Sequence, residues 1–305
     1  MTTAVTRVAR PFVKWVGGKG QLLPQLAQSL PHQLDEVEEF TYVEPFVGGG
    51  AMLFFMLQRF PNIKRVVIND INKRLTDAYL VVKERPDELV AQLRKIEKEY
   101  KRVTDEAARK QVYLNMRSRF NEEQSDVLTG TVLLFFLNKT CFNGLYRENS
   151  RGEFNVPFGR YANPIICNET VIYADSALLN NCDLLITDGD YYKTVDLLDN
   201  GTINFVYFDP PYRPLSATSS FNSYVKEQFD DESQRRLSYC CRELHELGNV
   251  LWMLSNADCH AANPNDTFFE ELYQGFNFKH VMASRSVNAN AAKRGKLSEL
   301  LITNY

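Results

Sequence analysis

The residues best suited to chemistry stand at the end of an apolar run, Phe205-Val206-Tyr207-Phe208, where Asp209-Pro210-Pro211-Tyr212 follows. Two prolines halt a strand and fix a rigid turn at its carboxyl end, the edge on which open α/β sheets place their active sites. Asp209 and the backbone carbonyl of Pro210, held side by side, can accept both hydrogens of one amino group. Such help matters for an amine whose lone pair is delocalised into an aromatic ring, as in adenine, because accepting the hydrogens favours the pyramidal form in which that lone pair can attack. Tyr212 adds a flat face on which a base can stack, so Asp209, Pro210, Pro211 and Tyr212 form the candidate catalytic quartet. A surface turn with the same letters is the structural alternative, and it sits badly with a hydrophobic strand running straight into it.

A second stretch, Tyr42-Val43-Glu44-Pro45-Phe46-Val47-Gly48-Gly49-Gly50-Ala51, reads as a strand entering three glycines and then a helix. Backbone without Cβ atoms can turn sharply there and lie close to a nucleotide-like cofactor. A glycine turn alone is weak evidence, since dehydrogenases carry similar loops. Asp70, ending Val66-Val67-Ile68-Asn69-Asp70 about 20 residues further on, stands where a ribose-binding acid is expected. Asp70 or Asn72 could instead cap the helix that starts near Asn72. The loop has neither the Gly-x-x-x-x-Gly-Lys-Ser/Thr spacing of a phosphate cradle nor the Gly-x-Gly-x-x-Gly of a dinucleotide binder. A ribose-containing cofactor without phosphate fits, and S-adenosylmethionine is one. Joined to Asp209, the reading becomes methyl transfer to the exocyclic nitrogen of adenine. A base inside a duplex is out of reach, so it must be rotated out at a cost of a few kcal/mol.

Positioning these residues requires an α/β sheet. Strands are expected at Thr41–Glu44, Arg65–Asn69, Leu184–Thr187, Ile203–Phe208, Val250–Ser255, Phe276–Ala283 and Glu299–Thr303, with helical patterns between them. The middle of the chain differs. Leu89, Leu93, Ile96 and Tyr100 recur at helical spacing between Pro86 and Phe120, and another apolar helix spans about Val127 to Asn138. A run of turn formers follows (Asn143-Gly144, Ser150-Arg151-Gly152, Asn155-Val156-Pro157-Phe158-Gly159), which predicts a loop and hairpin. The expected fold is therefore a Rossmann-like methyltransferase sheet with helices on both faces, from residues 1–85 and 169–305, carrying an inserted, mostly helical DNA-recognition domain with a β-hairpin at 86–168.

The 305 residues are 44% hydrophobic and 24% charged, which excludes a disordered chain. The first ten residues form no secretory signal, and Val132 to Leu137 is too short to span a bilayer, so a cytoplasmic protein without membrane attachment is expected. The six cysteines and four histidines show no metal-ligand spacing, and no metal is expected. The net charge of -3 hides two basic segments. Lys279, Arg285, Lys293, Arg294 and Lys296 have no acidic residue among them. Lys139, Arg147, Arg151 and Arg160 are interleaved with Phe142, Tyr146, Phe154, Phe158 and Tyr161. A charge run usually marks only a solvated face; the aromatics raise the nucleic-acid reading above that.

The chain resembles the Dam-type, alpha-class DNA adenine methyltransferases over nearly its whole length. The matching segments come in that family's order: Phe12-Val13-Lys14-Trp15-Val16-Gly17-Gly18-Lys19, Glu44 to Gly50, Ile68-Asn69-Asp70, Asn143 to Gly159, Asp209 to Tyr212, and Arg285 to Leu301. The resemblance implies a cofactor site of Trp15, Lys19, Glu44, Pro45, Phe46, Gly48, Gly50, Asp70, Asp190, Tyr191 and Asp209. Lys19 would lie near the methionine end, and Asp190 would accept from the cofactor's adenine, with Asp175 and Asp188 as competitors. From the residues alone, Trp15 reads as a core aromatic. The resemblance further implies double-stranded DNA as substrate, probed by Lys14, Phe142, Asn143, Leu145, Arg147, Asn155, Pro157, Lys293 and Arg294, with GATC as the site.

In that scheme Arg147 would read a guanine through its two major-groove acceptors, worth about 1–3 kcal/mol of discrimination. Phe142 stands where the enteric enzyme carries tyrosine, a change that removes a hydroxyl and keeps an aromatic wedge. The basic tail would hold phosphates. A monomer is expected, with a restriction endonuclease as functional partner. Three other readings compete. Methylation of RNA adenine or a protein amide goes with an Asn-Pro-Pro-Tyr pattern, and Asp209 speaks for DNA. A module that only binds DNA would have no use for a cofactor pocket. A nicotinamide dehydrogenase would leave the Asp-Pro-Pro-Tyr turn without a task.

Overall fold

A computed structural model describes residues 9–122, 126–215, 229–284 and 296–305. Within it, seven strands form one sheet in the order β3-β2-β1-β4-β5-β7-β6. They are β1 (Phe40–Glu44), β2 (Ile63–Asp70), β3 (Asp183–Asp188), β4 (Ile203–Phe208), β5 (Val250–Ala257), β6 (Asn277–Ser284) and β7 (Lys296–Thr303). Every strand read from the sequence is present. β1 to β5 run parallel, whereas β7 pairs antiparallel with both β5 and β6. The helices are α1 (Leu23–Ala27), α2 (Gln33–Glu36), α3 (Ala51–Arg59), α4 (Lys73–Glu84), α5 (Pro86–Arg102), α6 (Glu106–Asn121), α7 (Val127–Thr140), α8 (Glu169–Asn180), α9 (Asp231–Glu246), α10 (Cys259–Ala262) and α11 (Phe268–Leu272). Among the described residues, no helix is long and apolar enough to cross a membrane.

Side chains alternate across each strand, and both faces are apolar because both are covered. Tyr42, Val66, Ile68, Phe205, Tyr207 and Leu301 point into a core shared with α3 to α8. Val43, Val67, Val206, Phe208, Trp252 and Ile302 point the other way, into a core shared with α9 and α11. The strand order reverses direction at β1 and β4, which pair with Val43 opposite Val206. The chain therefore leaves the sheet in opposite directions from two adjacent carboxyl ends, opening the crevice in which such sheets bind ligands. The glycine turn after β1 and the Asp209 turn after β4 share that crevice.

Helices α5, α6 and α7 fill the interval between β2 and β3, as their spacing predicts. Apolar on nearly every side, α7 is buried accordingly. Its Phe135 stacks on Phe12 at 5.4 Å, so insert and sheet share one continuous core. The expected β-hairpin differs from expectation. Residues 141–158 double back through two isolated bridges, Cys141 with Phe158 and Glu148 with Phe154, and form no ladder. Positive φ at Asn143, Gly144 and Gly152, together with Pro157, interrupts the extended backbone that a ladder needs. Arg285, Lys293 and Arg294 lie outside the described residues.

Candidate active site

Asp209 follows β4, and its neighbour on β5 is set by register. Phe208 pairs with Leu254, so Ser255 comes level with Asp209 and its hydroxyl donates to Oδ1 at 2.9 Å. Lys19 reaches the same oxygen: Nζ lies 3.0 Å from Oδ1, with side chains only 7% and 19% exposed. The ammonium also donates to Gly17 O at 3.0 Å and lies 4.2 Å from the Tyr212 ring centre. Tyr212 is anchored by its hydroxyl, which donates to Glu299 Oε2 at 2.7 Å. Gln234 holds the carbonyl of Pro211 at 3.0 Å. Among the described residues, both partners of the Asp209 carboxylate meet Oδ1, so Oδ2 is the oxygen left for a substrate. Burial pushes the Asp209 carboxyl above the ordinary carboxylate range, and the Lys19 ammonium pulls it back.

The glycine turn is braced from two sides. Gly50 has φ +76°, and a Cβ there would clash with Tyr79 Oη. That hydroxyl donates to Gly48 O at 2.9 Å. Trp15 closes the other side, since Cβ atoms on Gly48 and Gly49 would come within 3.1 and 3.2 Å of it. The indole is partly buried against the turn and stacks on Tyr146 of the insert at 4.8 Å, so it is wall rather than deep core. Lys14, just before it, exchanges backbone bonds with the Asn138 side chain, and its own side chain crosses Gly144.

Asp70 and Asn72 divide the tasks that sequence alone left open. Asn72 Oδ1 caps α4 by accepting from Leu75 N. Asp70 accepts from Gly48 N at 3.0 Å on one oxygen and from Asn72 N at 2.9 Å on the other. Each oxygen keeps a lone pair, which suits a pair of ribose hydroxyls. Burial raises the Asp70 carboxyl. Buried Glu44, which accepts from Tyr42 Oη at 2.7 Å, is pushed well up by burial and by the charges of Asp209 and Asp70. Asp209, paired with Lys19, and the buried carboxyl groups of Glu44 and Asp70 make a site suited to a sulfonium cation and a ribose, and S-adenosylmethionine has both.

Asp190 is already paired with an arginine. Its two oxygens are taken by Arg236 of α9, at 2.6 and 3.0 Å, and one also accepts from Tyr192 N at 2.9 Å. Oδ2, with one partner, keeps a lone pair. Asp175 is fully buried and accepts from Arg10 N at 3.0 Å, with burial pushing its carboxyl up to about 8. Beside Asp190, Tyr191 is buried with its ring 5.1 Å from Phe46, which lies in the glycine turn. Asn69 ties the two loops together by donating to Pro45 O and Gly189 O, each at 3.0 Å. The sequence reading missed Ser255, Asn69, Tyr79 and Arg236. Strand adjacency would have found Ser255, while no local signal marks the others.

On the insert, Phe142 and Leu145 are 50% and 40% exposed. Arg147 and Pro157 are exposed as well, and Asn143 takes left-handed φ of 55° between Phe142 and Gly144. These residues occupy one loop, joined to the cofactor wall through Tyr146 and Trp15.

A Rossmann-like sheet with a braced glycine turn, a buried acid at the end of the next strand and an Asp-Pro-Pro-Tyr turn defines an S-adenosylmethionine-dependent methyltransferase. Residues 15–287 match the profile of the D12 class N6 adenine-specific DNA methyltransferases, and the chain belongs to that family. It is 45% identical over 299 residues to the Type II methyltransferase M.MjaIII of Methanocaldococcus jannaschii, covering 97% of this chain and 99% of that one. It is 38% identical to the Type II methyltransferase M1.LlaDCHI of Lactococcus lactis subsp. cremoris, covering 97% and 95%. Identity to the DNA adenine methylase of Escherichia coli K12 is 35% over 292 residues, covering 96% and 94%. The enzyme transfers a methyl group from S-adenosylmethionine to N6 of adenine in DNA.

Proposed function

We propose that the enzyme methylates the adenine of GATC in double-stranded DNA after rotating it out of the helix. Residues 86–168 would recognise the target and residues 1–85 and 169–305 would perform catalysis. The observation that carries this reading is the Asp209 carboxylate, with one oxygen held by Lys19 and Ser255 and the other left over, beside the braced glycine turn. When bound, the cofactor supplies an electrophilic methyl on its sulfonium. The chain does the rest. Asp70 takes the ribose hydroxyls, Phe46 and Tyr191 pack the cofactor's adenine, and Trp15 with Gly48 and Gly50 shapes the wall. Asp209 Oδ2 and the Pro210 carbonyl accept the hydrogens of the target N6 while Tyr212 supports the ring. In the transition state the nitrogen gains positive charge, which the carboxylate offsets.

On the DNA side, Phe142 fills the space the base vacates, Leu145 and Pro157 offer apolar contact to a thymine methyl, and Arg147 reads guanine. Lys14 and Asn143 flank the opened pair, and Lys293 and Arg294 bind phosphates. The enzyme works as a monomer in the cytoplasm. The relatives named as Type II methyltransferases support a cognate restriction endonuclease as its functional counterpart. Plasmid treated with the purified protein and S-adenosylmethionine, then challenged with nucleases that methylated GATC blocks or permits, tests the reading. Protection confined to GATC is expected, and Asp209→Ala should give none while still binding DNA. Protection at other sites only, or full protection by Asp209→Ala, rejects it.

A further inference from the structure

Arg147 is exposed, yet its side chain is already held. Nε donates to Asn155 Oδ1 at 2.7 Å and Nη2 reaches the Asn155 carbonyl at 3.4 Å. The Asn155 N–H donates in turn to the Arg147 carbonyl at 3.0 Å. One residue thus grips both the main chain and the guanidinium of Arg147.

Asn155 is itself rigidly mounted, because the residues on either side of it are buried and pinned to α6. Phe154 exchanges two bonds with Asn121, donating from N at 2.9 Å and accepting at O at 3.1 Å. The Val156 carbonyl accepts from Tyr113 Oη at 2.6 Å and from Arg117 Nη1 at 3.3 Å. A guanidinium is a planar fork of five N–H donors. With Nε and one N–H of Nη2 turned to Asn155, the other N–H of Nη2 and one of Nη1 remain at its free end, a parallel pair matched to guanine N7 and O6.

We infer that Asn155 is a positioning residue for specificity: it fixes Arg147 before DNA arrives and acts through it, rather than touching DNA as the resemblance implies. This rests on the reading of Arg147 given above. Ordering a long side chain at an interface costs affinity only when the contact is made. Without Asn155 that cost falls on the correct duplex and spares altered ones, so discrimination drops while binding to altered sites does not. The expected loss is about 2- to 12-fold in the ratio of kcat/KM values.

The test compares kcat/KM on a GATC duplex with that on duplexes carrying 7-deazaguanine, which lacks the N7 acceptor, at either guanine. Asn155→Ala should lower the ratio within that range. Asn155→Asp, which retains an oxygen for Nε, should keep the parental ratio. Arg147→Ala should lower it further, and adding Asn155→Ala to Arg147→Ala should change nothing more. Equal loss on every duplex would show that Asn155 holds the DNA backbone, and the inference falls while the reading of Arg147 stands. If Arg147→Ala leaves the ratio intact, that reading falls and takes the inference with it.

Discussion

Lys19→Met tests how the Asp209 carboxylate is kept ready. The substitution keeps an unbranched side chain one atom shorter and removes its charge. At the observed 3.0 Å the attraction to Asp209 amounts to about 5–6 kcal/mol for an effective dielectric near 20. Desolvation of both ions offsets much of that gross figure, and removing one partner of a buried pair typically costs about 3–5 kcal/mol. Asp209 can escape part of this cost by taking up a proton. Its folded carboxyl already titrates above the ordinary range because of burial, and loss of the ammonium raises it again. The folded chain then holds a proton that the unfolded chain releases, so stability falls as pH rises from the ordinary carboxylate range to the folded value. Activity changes in the other direction, because a protonated Asp209 gives up acceptor capacity, and kcat declines as pH falls through that value. The assay is a pH profile of kcat at saturating S-adenosylmethionine and DNA. The acidic limb of Lys19→Met is expected at higher pH than that of the parent. An unmoved limb with a raised KM for the cofactor alone would assign Lys19 to cofactor binding and refute the pairing argument.

Gly50→Ala forces a left-handed alanine and drives Tyr79 off the Gly48 carbonyl, together costing about 2–3 kcal/mol by denaturant unfolding. Tyr79→Phe in that background should recover part of the loss, and parental stability of Gly50→Ala would overturn the bracing role. Arg236→Ala frees Asp190 and loosens the loop bearing Tyr191, so KM for S-adenosylmethionine should rise several-fold with kcat little changed. Arg236→Lys should not restore it, since an ammonium cannot engage both oxygens in parallel; an unaltered KM in Arg236→Ala argues against the clamp. Asn72→Ala should cost about 0.5–2 kcal/mol of stability as a lost cap and spare cofactor affinity. Asp70→Ala should abolish cofactor binding by equilibrium dialysis, and the opposite pattern would exchange the two roles.

The features legible in the sequence are those encoded over short stretches. Short β-branched and aromatic runs marked all seven strands, because a sheet covered on both faces needs apolar residues in nearly unbroken series. The glycine turn and its link to Asp70 were readable because both sit at a fixed spacing within one βαβ unit, where Asp70 accepts from Gly48 N. The insert's helices showed by their periodicity, whereas the hairpin did not survive. Turn formers announce that a chain reverses and leave open whether its arms form a ladder, and left-handed Asn143 and Gly144 decided against one. Asp190 illustrates the harder limit, since its partner Arg236 lies 46 positions away on a helix whose placement depends on the whole sheet.

The same limit applies to the centre of the site and explains why motif and mechanism are separable. The Asp-Pro-Pro-Tyr turn is local, but the state of its carboxylate is not. Lys19 and Ser255 reach Asp209 only because β4 lies between β1 and β5, with the segment containing Trp15 folded over the turn that follows β1. A chain could keep all four letters and lose acceptor strength at residue 209 through a change in either neighbour. Substitutions at Lys19 or Ser255 should therefore alter the pH at which methyl transfer fails while leaving the sequence preference for DNA intact. Substitutions at Arg147 should do the reverse, since its exposed side chain is held within the loop by Asn155, while the loop meets the Trp15 segment through the stack of Tyr146 on Trp15 and the packing of Lys14 on Gly144.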